Sequence, residues 1–159
     1  MAVQIYPSDL LVNIDKKPPT MNAHNRSNTQ LMAERFSVAA VTVQGDSTSR
    51  FRICQLPAGA RYLAGLSKMG WTALGAGALA SLGWERYRLP SGVWVAEDVD
   101  GLGLGLAVAT AGRGFFDTMP TGGLDEMVFP APATLIVVIT GAVVPVGAAI
   151  GGTIVYGLG

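Results

Sequence analysis

The C-terminal segment from Ala131 to Gly159 carries no charged residue, and its structure decides the class of this chain. It is long enough for a membrane span, which needs about 20 apolar residues. However, most of its apolar residues are β-branched, as in strands, and glycines and Pro145 interrupt it. No Lys or Arg follows Arg113, so no basic flank orients a span. We therefore predict a β-hairpin that pairs about Thr134–Thr140 with about Ala149–Leu158. A membrane anchor made of this C-terminal apolar segment is the alternative.

The composition indicates one globular domain with little charged surface. Charged residues make up 14% of the 159 residues, well below the usual ~25%. The 11 basic and 11 acidic residues balance, so we expect no direct binding of nucleic acid. The single cysteine, Cys54, excludes an internal disulfide framework.

Residues 1–32 have the composition of an extended N-terminal arm, and residues 33–159 that of a β-sandwich domain. The arm is rich in Asn, Ser, Thr and Pro and shows no sustained apolar period. The arm contains two short apolar clusters. The first is Ile5 and Tyr6, and the second is Leu10, Leu11 and Val12. We predict that these clusters anchor the arm to a partner, and a disordered leader is the alternative.

From Glu34 onward, short β-patterned segments alternate with turn sequences. The segment Arg50–Leu56 alternates cleanly, with Phe51 and Ile53 on one face and two arginines on the other. The Gly-Leu repeat at 101–106 also has the period of a strand, and a short helix that starts in AEDVDGL is the alternative. Many short strands with frequent turns predict an all-β, antiparallel β-sandwich or jelly-roll-like domain with an extended N-terminal arm.

The segment 134–140 has apolar residues on both of its faces. Leu135, Val137 and Ile139 alternate with Ile136 and Val138. In a two-sheet sandwich only one face of a strand meets the core. We therefore expect another copy of the chain or a partner protein to cover the second face, and we predict a homo-oligomer, specifically a trimer.

No group of residues forms a convincing catalytic, cofactor or metal site, so we expect no enzyme activity and no cofactor. His24 is the single histidine and lies in the polar arm. Cys54 continues a strand pattern and has only Arg52 as a near basic neighbour, which predicts an unreactive thiol. The acidic residues Glu97, Asp98 and Asp100 lack the further ligands of a calcium loop, so we expect a solvated turn there.

Arg50 and Arg52 share the outward face of one predicted strand, and Arg61 follows the next turn. The three form a small basic stripe in this interpretation. We predict that Arg50 and Arg52 contact an acidic protein surface, and an ordinary solvated face is the alternative.

Four segments in order carry a family resemblance: ERFSVAAVTVQ, FRICQLPAGARYL, GWTALGAGALASLGWERY and TLIVVITGAVVPVGAAIGGTIVYGLG. Over roughly Ala33 to Gly159 the chain resembles structural proteins of tailed-bacteriophage virions, especially small capsid decoration (cement) proteins. The resemblance implies a β-sandwich bound to the outer surface of the capsid, often as a trimer, with the major capsid protein as its partner.

This resemblance implies a non-enzymatic protein that stabilises contacts between major capsid subunits, with no small-molecule substrate and no membrane partner. A tail, neck or fibre component is an alternative of the same kind. A membrane-anchored protein that uses the C-terminal segment is an alternative of another class.

Overall fold

The computed structural model describes residues 5–7, 31–39, 41–116 and 126–158. Within these ranges the chain forms thirteen β-strands and no helix, hence no helix there that is long and apolar enough to cross a membrane. The strands are β1 (Ile5–Pro7), β2 (Leu31–Val38), β3 (Arg50–Leu56), β4 (Ala60–Leu63), β5 (Lys68–Trp71), β6 (Leu79–Trp84), β7 (Tyr87–Arg88), β8 (Trp94–Val95), β9 (Asp98–Ala107), β10 (Gly112–Phe115), β11 (Glu126–Phe129), β12 (Ala133–Thr140) and β13 (Ile150–Leu158).

Two sheets enclose one core. The first has the order β1-β3-β12-β6-β9, and the second has the order β10-β5-β13-β4-β11, with β2 also paired to β13. β13 pairs with β5 at 150–153 and with β4 at 156–158, so β4 and β5 are two halves of one strand position. β10 and β11 likewise share one position beside them. The strand order of the second sheet is therefore β2, β13, β4/β5, β10/β11. It faces the order β3, β12, β6, β9 of the first sheet, and this arrangement is a jelly roll. The predicted all-β sandwich is confirmed.

The two C-terminal strands do not pair with each other, so the predicted hairpin is wrong. β12 lies between β3 and β6 in the first sheet, and β13 pairs with β2, β4 and β5 in the second. The strands themselves lie where the sequence predicted them. Residues 141–149 cross between the sheets, which lie ~10 Å apart in such folds, whereas hairpin loops usually have about 2–5 residues. Gly141 and Gly147 adopt positive φ angles of 78° and 85° in this crossing.

Alternate residues of the central strands fill the space between the sheets. The first sheet contributes Phe51, Ile53, Leu135, Val137 and Ile139, and the second contributes Phe36, Tyr62, Met69, Ile154 and Tyr156. Phe129 adds an edge-to-face contact with Trp84, in which the ring centroids lie 5.7 Å apart. The inward direction predicted for Phe51 and Ile53 is confirmed.

Ile136 and Val138 alternate with the core residues of β12, yet both are buried within the single chain, at 0% and 4% exposure. Ile136 lies in register between Arg52 of β3 and Gly83 of β6. The Arg52 side chain crosses β12 to reach Glu85 on the far side, and its aliphatic stem can cover apolar surface. The expectation that another copy or a partner must cover this face is therefore wrong, because the chain covers it itself.

Candidate interaction surfaces

Arg50 and Arg52 form ion pairs within the chain. The Nε and Nη2 atoms of Arg52 donate to Oε2 of Glu85 at 3.0 and 2.7 Å, and Nη1 of Arg50 pairs with Oε2 of Glu97. Arg61 lies on β4 in the opposite sheet, so the three arginines do not form the predicted stripe. A role of Arg50 and Arg52 in partner binding stays a prediction. Their positive charges are compensated by Glu97 and Glu85 of the same chain.

Two of the predicted anchors in the arm, Ile5 and Tyr6, lie in β1. The other predicted anchors lie outside the described residues, and they are Leu10, Leu11 and Val12. β1 pairs in parallel with β3, with Ile5 opposite Arg50, and it therefore covers an edge of the first sheet. β2 begins at Leu31, and the division into an arm at 1–32 and a domain at 33–159 stays a prediction.

The outer face of the second sheet carries cations on β2, β4, β5 and β10. Three rows cross this face: Leu31, Gly157, Arg61 and Val128; Arg35, Thr153, Lys68 and Phe115; and Ser37, Gly151, Gly70 and Arg113. Directly opposed residues in such rows have their Cβ atoms about 5 Å apart, so charged and apolar side chains are neighbours. We use the name basic face for Leu31, Arg35, Arg61, Lys68, Arg113, Phe115 and Val128.

The basic face combines exposed cations with exposed apolar groups. Arg35, Lys68 and Arg113 are exposed, and no described outward side chain of the second sheet is acidic. Glu126 begins β11, and its side chain lies outside the described residues. The three apolar members are each at least half exposed, with Leu31 at 63%, Phe115 at 50% and Val128 at 51%. This face therefore has the composition of a contact surface.

Trp94 is exposed on a separate short ribbon formed by β7 and β8. Its exposed fraction is 56%, and the guanidinium carbons of Arg86 and Arg88 lie 4.8 and 6.0 Å from its ring centroid. Such cation–π contacts hold the ring in place. Because Trp and Arg often dominate the binding energy of protein interfaces, the ribbon is a second candidate contact surface.

The thiol of Cys54 lies in the core and is unsuited to nucleophilic chemistry. Burial, with a further contribution from the Glu34 carboxylate, raises the pKa of Cys54 well above its usual value, so the thiol stays protonated at neutral pH. Glu34 accepts a hydrogen bond from the Tyr156 hydroxyl at 3.0 Å. These groups stabilise the inside of the sandwich.

Asp98 and Asp100 lie in the first residues of β9 and not in the predicted solvated turn, and the exposed Glu97 immediately precedes this strand. Glu97 pairs with Arg50, and Asp98 Oδ1 accepts a hydrogen bond from the backbone N–H of Asp100 at 3.2 Å. Hydrogen bonding to Asp98 and burial raise the pKa of Asp100. Among the described residues, no three His, Cys, Asp or Glu side chains are grouped to hold a metal ion. His24 lies outside those residues.

The sequence interpretation missed both the basic face and Trp94. Arg35 and Lys68 each precede a buried core residue, and this alternation marks them as outward. Alternation alone does not reveal that β2, β5 and β10 share one sheet. The position of Trp94 beside the turn at 90–92 was the available signal for an exposed aromatic residue.

These surfaces belong to a two-sheet jelly roll, and the same fold occurs among solved structures. No known protein family and no curated protein matches the sequence. The structure is similar to a chain in the capsid of Ralstonia phage GP4, with a TM-score of 0.66, 13% identity and coverage of 98% of both chains. It is also similar to a chain in the cyanophage Pam1 capsid asymmetric unit, with a TM-score of 0.51, 12% identity and coverage of 91% of this chain and 97% of the other. At these identities the likeness establishes a shared fold.

Proposed function

We propose that this chain is a non-enzymatic structural protein of a bacteriophage virion, which binds the outer surface of the capsid as a decoration or cement protein. The observation that carries this proposal is the match to the GP4 capsid chain over 98% of both chains. The match therefore extends over nearly the whole given length of each chain. The sequence resemblance of residues 33–159 to decoration proteins supports the same role.

The proposed mechanism is mechanical. A close-packed core deforms little, and the exposed apolar groups of the basic face and of the ribbon lie on the outside. A copy that contacts two neighbouring capsid subunits adds buried area to their joint, at about 25 cal/mol for each Å² of apolar surface. This added area opposes the separation of the subunits under the pressure of packaged DNA.

The arm serves as a tether in this proposal. The pairing of β1 with β3 supports a role for the arm backbone in completing sheet edges. Leu10, Leu11 and Val12 are proposed to bind a neighbouring subunit, because an extended chain spans up to ~3.3 Å per residue.

Self-association as a trimer is part of the same proposal. The low charged fraction of 14% supports it, because copies with little charge repel one another weakly. Copies related by a closed rotation axis bury identical surfaces symmetrically. Sedimentation equilibrium at micromolar concentration should give three times the 16.5 kDa chain mass, and a monomer throughout would contradict the trimer.

Binding to assembled shells tests the proposed function. Shells are formed from the major capsid protein encoded in the same genome, and the purified chain is added at increasing concentration before sedimentation. We expect saturable binding at a fixed ratio and a higher temperature of shell disruption. Recovery on isolated tails but not on shells would identify a tail, neck or fibre component. Recovery on lipid vesicles alone would identify a membrane protein.

A further inference from the structure

We propose that the basic face is the surface that docks on the capsid, against a protein surface that presents carboxylates beside apolar side chains. This inference rests on the function proposed above and names the face that performs it.

Charge distinguishes the two outer faces of the sandwich. On the first sheet, Arg50 and Arg52 are matched by glutamates of the same chain. On the second sheet, Arg35, Lys68 and Arg113 are exposed on β2, β5 and β10, and the described side chains of that face include no carboxylate. An acidic partner surface therefore complements the second sheet, and such complementarity steers association and fixes its orientation.

The apolar members of the basic face indicate a protein partner and not a nucleic acid. Leu31, Phe115 and Val128 lie in the same rows as the cations, and a phosphate backbone offers them nothing to pack against. No side chain projects from the outer face at Gly151 and Gly157, so a partner can approach the backbone closely at these positions. A protein surface satisfies both the charged and the apolar positions.

A symmetric contact between two copies through this face is disfavoured. Such a contact places the face that carries Arg35, Lys68 and Arg113 against the same face of the other copy, and like charges in apposition weaken association. The occupant that fits is therefore a different surface with the opposite charge.

Charge reversal on the basic face tests this inference on the shells described above. The test variant is R35E/K68E. The comparison variant is R86E/R88E, which makes the same change in net charge on the β7-β8 ribbon, the second candidate contact surface. We expect R35E/K68E to bind shells at least about tenfold more weakly than wild type, and more weakly than R86E/R88E. Equal weakening by the two variants overturns the assignment of docking to the basic face. R35K/K68R keeps both charges and should restore binding, while circular dichroism verifies that each variant folds.

Two further measurements separate charge from apolar contact. Raising the salt concentration should weaken wild-type binding and affect R35E/K68E much less. F115S should weaken binding at every salt concentration and leave the salt dependence unchanged, because it removes apolar contact only.

Each outcome decides the inference. If wild type binds shells and R35E/K68E binds them equally well, the basic face is not the docking surface, and the proposed function still stands. Absence of wild-type binding to shells overturns both. If R35E/K68E binds shells normally but loses binding to duplex DNA or loses self-association, the face serves nucleic acid or a second copy, and the inference is wrong.

Discussion

Arg52 and Glu85 meet across a strand that lies between them. Nη2 of Arg52, on β3, is 2.7 Å from Oε2 of Glu85, which follows β6, and β12 separates the two strands. Ile136 of β12 lies in register with Arg52 and is fully buried. This ion pair neutralises Arg52 and also spans the outer face of β12. A strand with two apolar faces can therefore lie in the centre of a sheet in a two-layer sandwich.

The position of the Arg52–Glu85 pair across β12 predicts different effects for two double variants. R52A/E85Q should lower the free energy of unfolding by about 1–2 kcal/mol, because Ile136 gains exposure to water. R52M/E85Q should lower it by less than about 1 kcal/mol, since Met keeps an apolar cover and a partly exposed ion pair contributes little. Urea denaturation measures both. Equal losses in the two variants would show that the charges, and not the cover, provide the stabilisation.

A side chain added at Gly83 of β6 is expected to destabilise the fold by steric overlap. A Cβ added at Gly83 would overlap the backbone of Asp98 and Val99, so G83A requires a shift of β9 and should lower the free energy of unfolding by about 2–3 kcal/mol. The matched control is G157A, where nothing lies within 4 Å of the added Cβ, and it should stay within about 0.5 kcal/mol of wild type. Denaturation midpoints decide, and a G83A midpoint equal to that of G157A contradicts the close approach of β9.

Local sequence pattern was sufficient to predict β12 and β13 but not their partner strands. The β-branched content of β12 and β13 predicted both strands, because side-chain chemistry within a strand is a local property. Their pairing depends on where the other strands lie. β12 pairs with β3 and β13 pairs with β2, and these partners are distant in the sequence. The sequence of β12 or β13 alone does not specify these partners.

The same limit applies to the interaction surfaces. Alternation predicted that Arg50 and Arg52 point outward, but their partners Glu97 and Glu85 are 47 and 33 residues away. The basic face likewise exists only because β2, β5 and β10 come together in one sheet. Residue direction was predictable from sequence, and residue proximity was not.

Tyr62 predicts a loss of stability in alkaline solution. Burial raises the pKa of Tyr62 from 10.0 to about 12, so the folded protein keeps the phenol proton where the unfolded chain loses it. The unfolded state then binds fewer protons, and the free energy of unfolding falls as pH rises. This contribution is fully present below about pH 10 and is lost as pH rises towards about 12, at up to ~1.4 kcal/mol per pH unit.

Tyr62→Phe removes this titration and tests its origin. The Y62F variant should show a flatter decline in the free energy of unfolding above about pH 10 than wild type, measured by urea denaturation at several pH values. At neutral pH the phenol is protonated in both states of the wild type, so a neutral-pH measurement gives the reference for each protein. Parallel declines in the two proteins would assign the alkaline loss to other groups.

Removal of residues 1–30 should leave the sandwich folded and weaken its attachment to the capsid. Among the described strands only β1 is lost, a three-residue strand at the edge of the first sheet, so the denaturation midpoint should change little. The backbone edge of β3 that pairs with β1 becomes free, and the arm's anchors are gone.

The measurement compares shell occupancy by intact and truncated protein at equal concentration. A variant with Leu10, Leu11 and Val12 changed to Ser keeps β1, so its occupancy separates the contribution of these anchors from that of the sheet edge. Equal occupancy by all three proteins would show that the arm is a passive leader and that the sandwich alone makes the contact.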